Sequence, residues 1–426
     1  MKEFSIRSDL DWQASVEAAV SDLKEWIAFA SVSSRSNVPI NKAIAQRLET
    51  LGFDCKLQNY RDDEGVAKSN LIARRDPPRR DPPRREPPRR EPPSAAGPPR
   101  HDPGEPTRAF GGGGVAYFGH SDVVPVDHWV GPGGDDVAGD GFTAIESGGR
   151  IFGRGACDMK GSIAAMVAAA QCVPRSAQTR PLWIVVTGDE ETGFNGARHL
   201  RSSVEYEPIV AAQPLAITGE PTGMNLVHAH KGIEVYFFQT EGIAAHSGTS
   251  LGHNATEAMV PLLNLFRDIA IETRESVEYQ NTAFDPPHLS WTFRVKDSTK
   301  AVNITSDRCE AWLSFRPMPG VNHDALWQRV ERVCEAHSIR WSRRAGGQPV
   351  WVDADAPHIV KLQEIAPEKP STACYGTDAG EFFALRQRVV WGPGDISLAH
   401  TDHESISRQE LELGIRRYAA ALRMAL

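Results

Sequence analysis

The sequence predicts an α/β fold: a mostly parallel sheet with helices on its faces, interrupted by an inserted, ferredoxin-like β-α-β-β-α-β module. Three observations predict it. Short apolar runs alternate with helical stretches from residue 115 to 217 and resume near 389, the rhythm of a parallel sheet. From about Val227 to Ala345 the pattern changes to alternating strands around two amphipathic helices. Four of the apolar runs lead into motifs containing His, Asp or Glu, and open α/β sheets bind ligands beyond the carboxyl ends of their strands.

Along the chain, Asp11 to about Ala30 sets Val16, Val20, Leu23 and Ile27 on one helical face, and Ile40–Leu51 reads as a second helix ended by Gly52. Val115–Phe118, Leu182–Val186, Leu215–Ile217 and Val389–Trp391 read as strands, Ser162–Ala170 and Ala197–Ser203 as helices. In the inserted module, strand Ile233–Thr240 precedes helix Asn254–Glu272. Strands Leu289–Val295 and Glu310–Phe315, helix Asp324–His337 and the short strand Ile339–Ser342 follow. The expected partition is residues 1–226 and 348–426 as one discontinuous domain, with 227–347 inserted into it. Such insertion is tolerated where the ends of the guest lie close together.

Residues 74–114 break the composition. The five-residue units RRDPP and RREPP each occur twice over 74–93, and Pro/Gly-rich sequence continues to about Gly114. Arg74 to Arg108 holds ten Arg against six acids, a local +4 that leaves −12 for the remainder of a chain whose net charge is −8. Proline removes donors and fixes φ, so this stretch is expected to be a disordered surface insertion. A docking arm for an acidic or proline-reading partner is the sharper alternative.

The composition also limits function. The overall acidity argues against a nucleic-acid binder. No apolar run reaches the length of a membrane span and the first residues hold no apolar segment, so a cytoplasmic protein is expected, without membrane partners. Six cysteines without a C-x-x-C pair suggest neither a disulfide framework nor a zinc finger.

The chemistry lies in six motifs: GHSD at 119–122, CDM at 157–159, GDEETG at 188–193, GEP at 219–221, AHS at 245–247 and AH at 399–400. His120, Glu190, Glu191, Glu220 and His400 follow strand ends, and Asp158 precedes a helix start, where the helix dipole favours a carboxylate. A single histidine at a strand end is more often a satisfied polar residue than a ligand. Five such sites in one register reverse that expectation and give the inventory of a two-metal hydrolase.

In order and wording these motifs resemble the M20 family of metallopeptidases and amidohydrolases, most closely its acetylornithine deacetylase branch. The resemblance implies a di-metal catalytic domain, with the inserted module serving as a dimerisation and lid domain of a homodimer. It implies two Zn2+, with Co2+ a substitute. Asp158 would bridge them, His120 and Glu220 completing one site and Glu191 and His400 the other. Glu190 would be the general base and Asp122 would orient His120. His246 would steady the oxyanion from across the dimer interface. Arg316, Asn303, Gly376, Thr377 and Lys231 would bind a small N-acyl amino acid, with N-acetylornithine the leading substrate and arginine biosynthesis the setting.

Succinyl-diaminopimelate desuccinylase, or another aminoacylase or peptidase of the family, is the alternative. A metal-binding protein without turnover, acting through the Arg/Pro arm, is the non-enzyme reading; Glu190 argues against it, since a binding module needs no free base. AHTDHES at 399–405 departs from the family wording, lacking a lysine while Glu404 keeps the acid. The glycine-rich stretch after the first motif and the Arg/Pro insertion depart as well.

Overall fold

The computed structural model describes residues 12–78, 110–133, 140–299, 301–344 and 346–426. Its centre is four parallel strands in the spatial order Leu182–Thr187, Val115–His120, Leu215–Thr218 and Gln387–Val390. The first three are buried at every position, which is why they read as continuous apolar runs rather than alternating ones. Five further strands, mostly paired antiparallel, complete the nine-stranded sheet. The hairpin Asp54–Arg61/Ala67–Arg75 flanks Leu182–Thr187, and Val227–His230 with its partners extends the opposite side.

Helix Lys160–Gln171 carries the local chemistry of this core. All its residues but the last are buried, and its run of alanines lets it sit close between helices Trp12–Ile27 and Arg408–Ala425. The last of these is started by a capping box: Ser407 Oγ accepts from the Glu410 N–H at 3.0 Å, and the Ser407 N–H donates to Glu410 Oε2 at 2.7 Å. Among the described residues no helix is long and apolar enough to cross a membrane.

The second unit is a four-stranded antiparallel sheet in the order Ser290–Asp297, Arg308–Arg316, Glu234–Glu241, Arg340–Arg344. Helices Ala255–Glu275 and Asp324–Ala336 cover one face, around a core including Tyr236, Phe238, Phe266, Leu313 and Val330. Chain order and strand order together are those of a split-βαβ module, as the sequence pattern predicts. The other face presents Val235, Phe237, Ser314, Arg316 and Arg344, because opposed residues of antiparallel strands share a side.

The structure moves the boundaries of the Arg/Pro insertion. Strand Ala67–Arg75 runs through Arg74 and Arg75, which the sequence reading placed outside the sheet. The buried guanidinium of Arg75 donates to Gln178 Oε1 at 2.9 Å and to the carbonyls of Ala170 and Val173, each at 3.0 Å. At the far end, a Cβ on Gly113 would lie 1.8 Å from the Ala212 carbonyl oxygen, so this glycine is required by close packing. Residues 79–109, the body of the predicted insertion, lie outside the described residues.

His230 stands where the chain leaves the large sheet for the inserted unit. Its Nδ1 lies 2.8 Å from the Lys231 carbonyl and its Nε2 3.2 Å from Thr377 Oγ1, which itself accepts from the Ala379 N–H. That arrangement suits the neutral ring, with Nδ1 donating and Nε2 accepting. Burial pushes its pKa down to about 4, below the roughly 6.5 of a free imidazole. As pH falls from 6.5 towards 4 the unfolded chain therefore takes up a proton that the native one refuses. Stability should drop by about 1.4 kcal/mol per pH unit from this group alone. Denaturant midpoints at pH 7, 5.5 and 4.5 should accordingly fall less steeply in His230→Gln than in the parent chain. Equal slopes would mean that His230 does not carry this acid sensitivity.

Candidate metal centre

The carboxyl ends of the parallel strands face one edge, and the metal-binding motifs meet there. His120 ends its strand and is almost fully buried. Its Nε2 lies 3.1 Å from Asp158 Oδ1 and 3.9 Å from Glu220 Oε2. The other oxygen of Asp158 lies 3.2 Å from His400 Nε2, which is 3.1 Å from Glu191. Glu220, His120, Asp158, His400 and Glu191 thus form one continuous chain with Asp158 at its middle. One donor atom from each of His120, Asp158 and Glu191 falls within 4.8 Å of the others.

Asp158 is presented by a loop that Glu404 organises. The buried Glu404 carboxylate accepts from the N–H groups of Gly155 at 3.0 Å, Cys157 at 2.9 Å and Asp158 at 2.9 Å, and from Arg154 Nη1 at 2.8 Å. Asp122 holds the other acidic loop. Its carboxylate accepts from the N–H groups of Glu190 (3.2 Å) and Glu191 (3.3 Å) and from Ser33 Oγ (2.7 Å). The sequence reading gave the Asp122 side chain the task of orienting His120; the structure reassigns it. His120 Nδ1 meets the Asp122 main-chain carbonyl at 2.9 Å, whereas the carboxylate stands 3.7 Å away and serves the Glu190–Glu191 turn. Behind that turn, Asp189 has a φ of 57° and is held by Lys68 Nζ at 2.5 Å and the Tyr60 hydroxyl at 3.0 Å.

The electrostatics of the cluster call for positive charge. Burial pushes the carboxyls of Glu190, Glu191 and Glu220 up, and their acidic neighbours push further in the same direction. Burial also disfavours a charged His120, yet contact with Asp158 and the nearby Glu220 and Glu190 carry it well above its ordinary value. Hydrogen bonds to Asp158 and Glu191 raise His400 to about 10. Glu220 Oε1 is buried without a hydrogen-bond partner. A buried acceptor left over in a cluster of four carboxylates and two imidazoles is what a divalent cation would satisfy, and the N/O ligand set suits such an ion.

A cavity of about 250 Å³ opens from this cluster, between the two sheets. Asp158, Glu190, Glu191, Glu220 and His400 line one side, Ile233, Val235, Arg316 and Arg344 the other, with Phe194, Tyr375, Gly376 and Ile396 around them. Arg316 and Gly376 line this cavity. Three others do not. Lys231 turns away, its Nζ donating to the carbonyls of Pro286 at 2.8 Å and His288 at 2.7 Å. Thr377 is buried with its hydroxyl engaged by His230. Asn303 is exposed on the inserted unit and outside the cavity, its carbonyl accepting from the Ser247 N–H at 2.9 Å. Beside it His246 is exposed as well, paired across a bridge with Ile304.

Residues 116–424 match the peptidase family M20/M25/M40. The chain belongs to that family. It is therefore a metal-dependent hydrolase by family. It is 30% identical to an acetylornithine deacetylase of Myxococcus xanthus, over 91% of this chain and 92% of the relative. An acetylornithine deacetylase of Proteus mirabilis (strain HI4320) is 28% identical over the same shares. Among solved structures, an M20 family metallo-carboxypeptidase of Sulfolobus solfataricus superposes with a TM-score of 0.68 at 14% identity, covering 96% of this chain and 99% of that one.

In this M20 hydrolase, sequence reasoning missed two groups, Lys68 and Arg344, and left Glu404 unassigned. A lysine in an inner strand and an arginine at the end of a short strand give no local signal, while the acid in AHTDHES is visible without a role. Glu404→Gln keeps the shape and replaces two acceptor oxygens by one acceptor and one donor that faces N–H groups. Metal affinity should fall roughly 10–100-fold, the usual effect of losing a group that positions a ligand. Competition with a chelator would measure it, and unchanged affinity would mean that the Asp158 loop holds without Glu404.

Proposed function

We propose that the chain is a di-metal amidohydrolase that removes an acyl group, acetyl foremost, from a small N-acyl amino acid, an acetylornithine deacetylase-like activity. One observation carries the two-metal reading: the oxygens of Asp158 face different histidines, each with its own second acid, Glu220 beside His120 and Glu191 beside His400. That is the arrangement a bridging carboxylate needs. His120 and Glu220 would hold one ion and His400 and Glu191 the other, zinc by preference with cobalt a substitute. Bound, the two ions would polarise the scissile carbonyl and acidify a water.

The protein's own groups do the rest. Glu190 lines the cavity outside the ligand chain and takes the water's proton, then returns it to the leaving amine. Its peptide N–H is pinned by Asp122, which directs neighbouring side chains 190 and 191 to different tasks. Arg316 holds the substrate's α-carboxylate with two parallel N–H donors. Phe194, Ile233 and Val235 exclude water from the acyl side. His246 stands outside its own chain's cavity, so its oxyanion role requires a second copy of the chain, with the inserted units forming a homodimer. N-acetylornithine is the reference substrate because the relatives are named for it.

Glu190→Gln should bind the same metal complement as the parent while kcat falls 10²–10⁴-fold, the range of a lost general base. Metal analysis beside steady-state amine release separates the two effects. Full turnover by the variant would remove Glu190 from the mechanism.

A further inference from the structure

The cavity has two electrically opposite walls, and the basic one holds a guanidinium more than a single carboxylate needs. Strands Arg308–Arg316 and Arg340–Arg344 carry five arginines. Three of them have glutamate partners: Arg308 with Glu310, Arg340 with Glu241 and Arg343 with Glu234. The guanidinium groups of the two that line the cavity, Arg316 and Arg344, make neither an ion pair nor a hydrogen bond among the described residues. Arg344 is braced instead by its guanidinium lying 5.6 Å from the centre of the Phe237 ring.

Their spacing follows from the register. Val235 is opposed by Ser314 on one side and Arg344 on the other, and Arg316 lies two residues beyond Ser314 on the same face. With strands ~4.8 Å apart and a rise of ~3.4 Å per residue, the two Cα atoms are roughly 12 Å apart. The apolar Val235 lies between them. Arginine side chains of that reach can hold two anionic groups separated by a short carbon chain. Among the described residues, every acid lining the cavity belongs to the metal cluster or is Glu190, so none of these is left to receive a distal ammonium.

We propose that Arg344 is a specificity-determining residue that recognises a second carboxylate, so that the preferred substrates are dianionic N-acyl amino acids. This rests on the deacylase reading and narrows its substrate. Arg316 takes the α-carboxylate, and Arg344 takes a carboxylate at the end of either the amino-acid side chain or the acyl group. A cationic side chain such as that of ornithine meets like charge at the same place, which costs affinity rather than adding to it.

The test compares kcat/KM of the zinc-loaded protein on four probes: N-acetylnorvaline, N-acetylornithine, N-acetylglutamate and N-succinylleucine. At least one dianionic probe should exceed N-acetylnorvaline by tenfold or more, the identity of the winner locating the second carboxylate on side chain or acyl tail. In Arg344→Gln the ratio of that probe to N-acetylnorvaline should fall at least tenfold, Arg344→Lys should restore part of it, and Arg344→Glu should shift preference towards N-acetylornithine. Preference of the parent for N-acetylornithine, or an equal loss on neutral and dianionic probes in Arg344→Gln, would overturn the proposal while leaving the deacylase reading intact. Failure of all four probes with metal bound would overturn both.

Discussion

Asp158 offers one oxygen to His120 at 3.1 Å and the other to His400 at 3.2 Å, and the rest of the site is arranged around that sharing. A carboxylate can serve two partners only if its own position is determined by something else. Here that is Glu404, whose oxygens gather the N–H groups of Gly155, Cys157 and Asp158 and Arg154 Nη1. The tether continues into the fold, because strand Ser405–Ser407 pairs with Arg150–Phe152 and leads directly into the capped C-terminal helix. A buried acid late in the chain thereby sets the geometry of a loop about 250 residues earlier.

The cost of this arrangement is buried charge. Asp158, Glu190, Glu191 and Glu220 share one low-dielectric site with two imidazoles, and burying a carboxylate without compensation is expensive. The protein lessens that cost around the rim and leaves it at the centre. Asp189 has Lys68 and Tyr60, Asp122 has two peptide N–H groups and Ser33, and Glu404 has four donors. Glu220 keeps one oxygen, Oε1, with no hydrogen-bond partner among the described residues. Acids that serve as scaffold are neutralised by the chain, whereas the acids that face one another are left for ions that the chain does not encode.

The parts of this protein legible in its sequence are those whose signal is local. Val115–His120 and Leu182–Thr187 are apolar because both their faces are covered, so they stand out as runs. His120, Asp158, Glu191, Glu220 and His400 meet because a strand end or helix start brings each to the same edge. What stayed hidden depends on partners distant in the chain. The hairpin ending in Arg75 resembled the start of an Arg/Pro tract, since nothing local announces that its guanidinium fills a buried pocket against Ala170, Val173 and Gln178. Lys231 was misplaced for the same reason: HKG sits next to the site in sequence, yet its amine is committed to two carbonyls of the 286–288 loop. Asp122 was found but given the wrong half of itself, because motif spacing does not separate a carboxylate's task from that of its own carbonyl.

The two walls of the cavity explain why both sheets are needed. The large sheet supplies acids and imidazoles from strand ends, where it can hold ligands rigidly. The small sheet supplies Arg316 and Arg344 from strand faces, spaced by register rather than by loops. On the proposed reading, a substrate with its anionic end towards the arginines would be drawn away from the acids and would present its opposite, amide end to the metal cluster. Field and shape then select the same orientation, and a rigid register on one side with a rigid ligand set on the other fixes how long the molecule between them can be. Cutting the small sheet loose would keep every metal ligand and lose that measure of length. On the proposed reading, the inserted unit would be the part of the fold that turns a general hydrolytic centre into one that distinguishes its substrates.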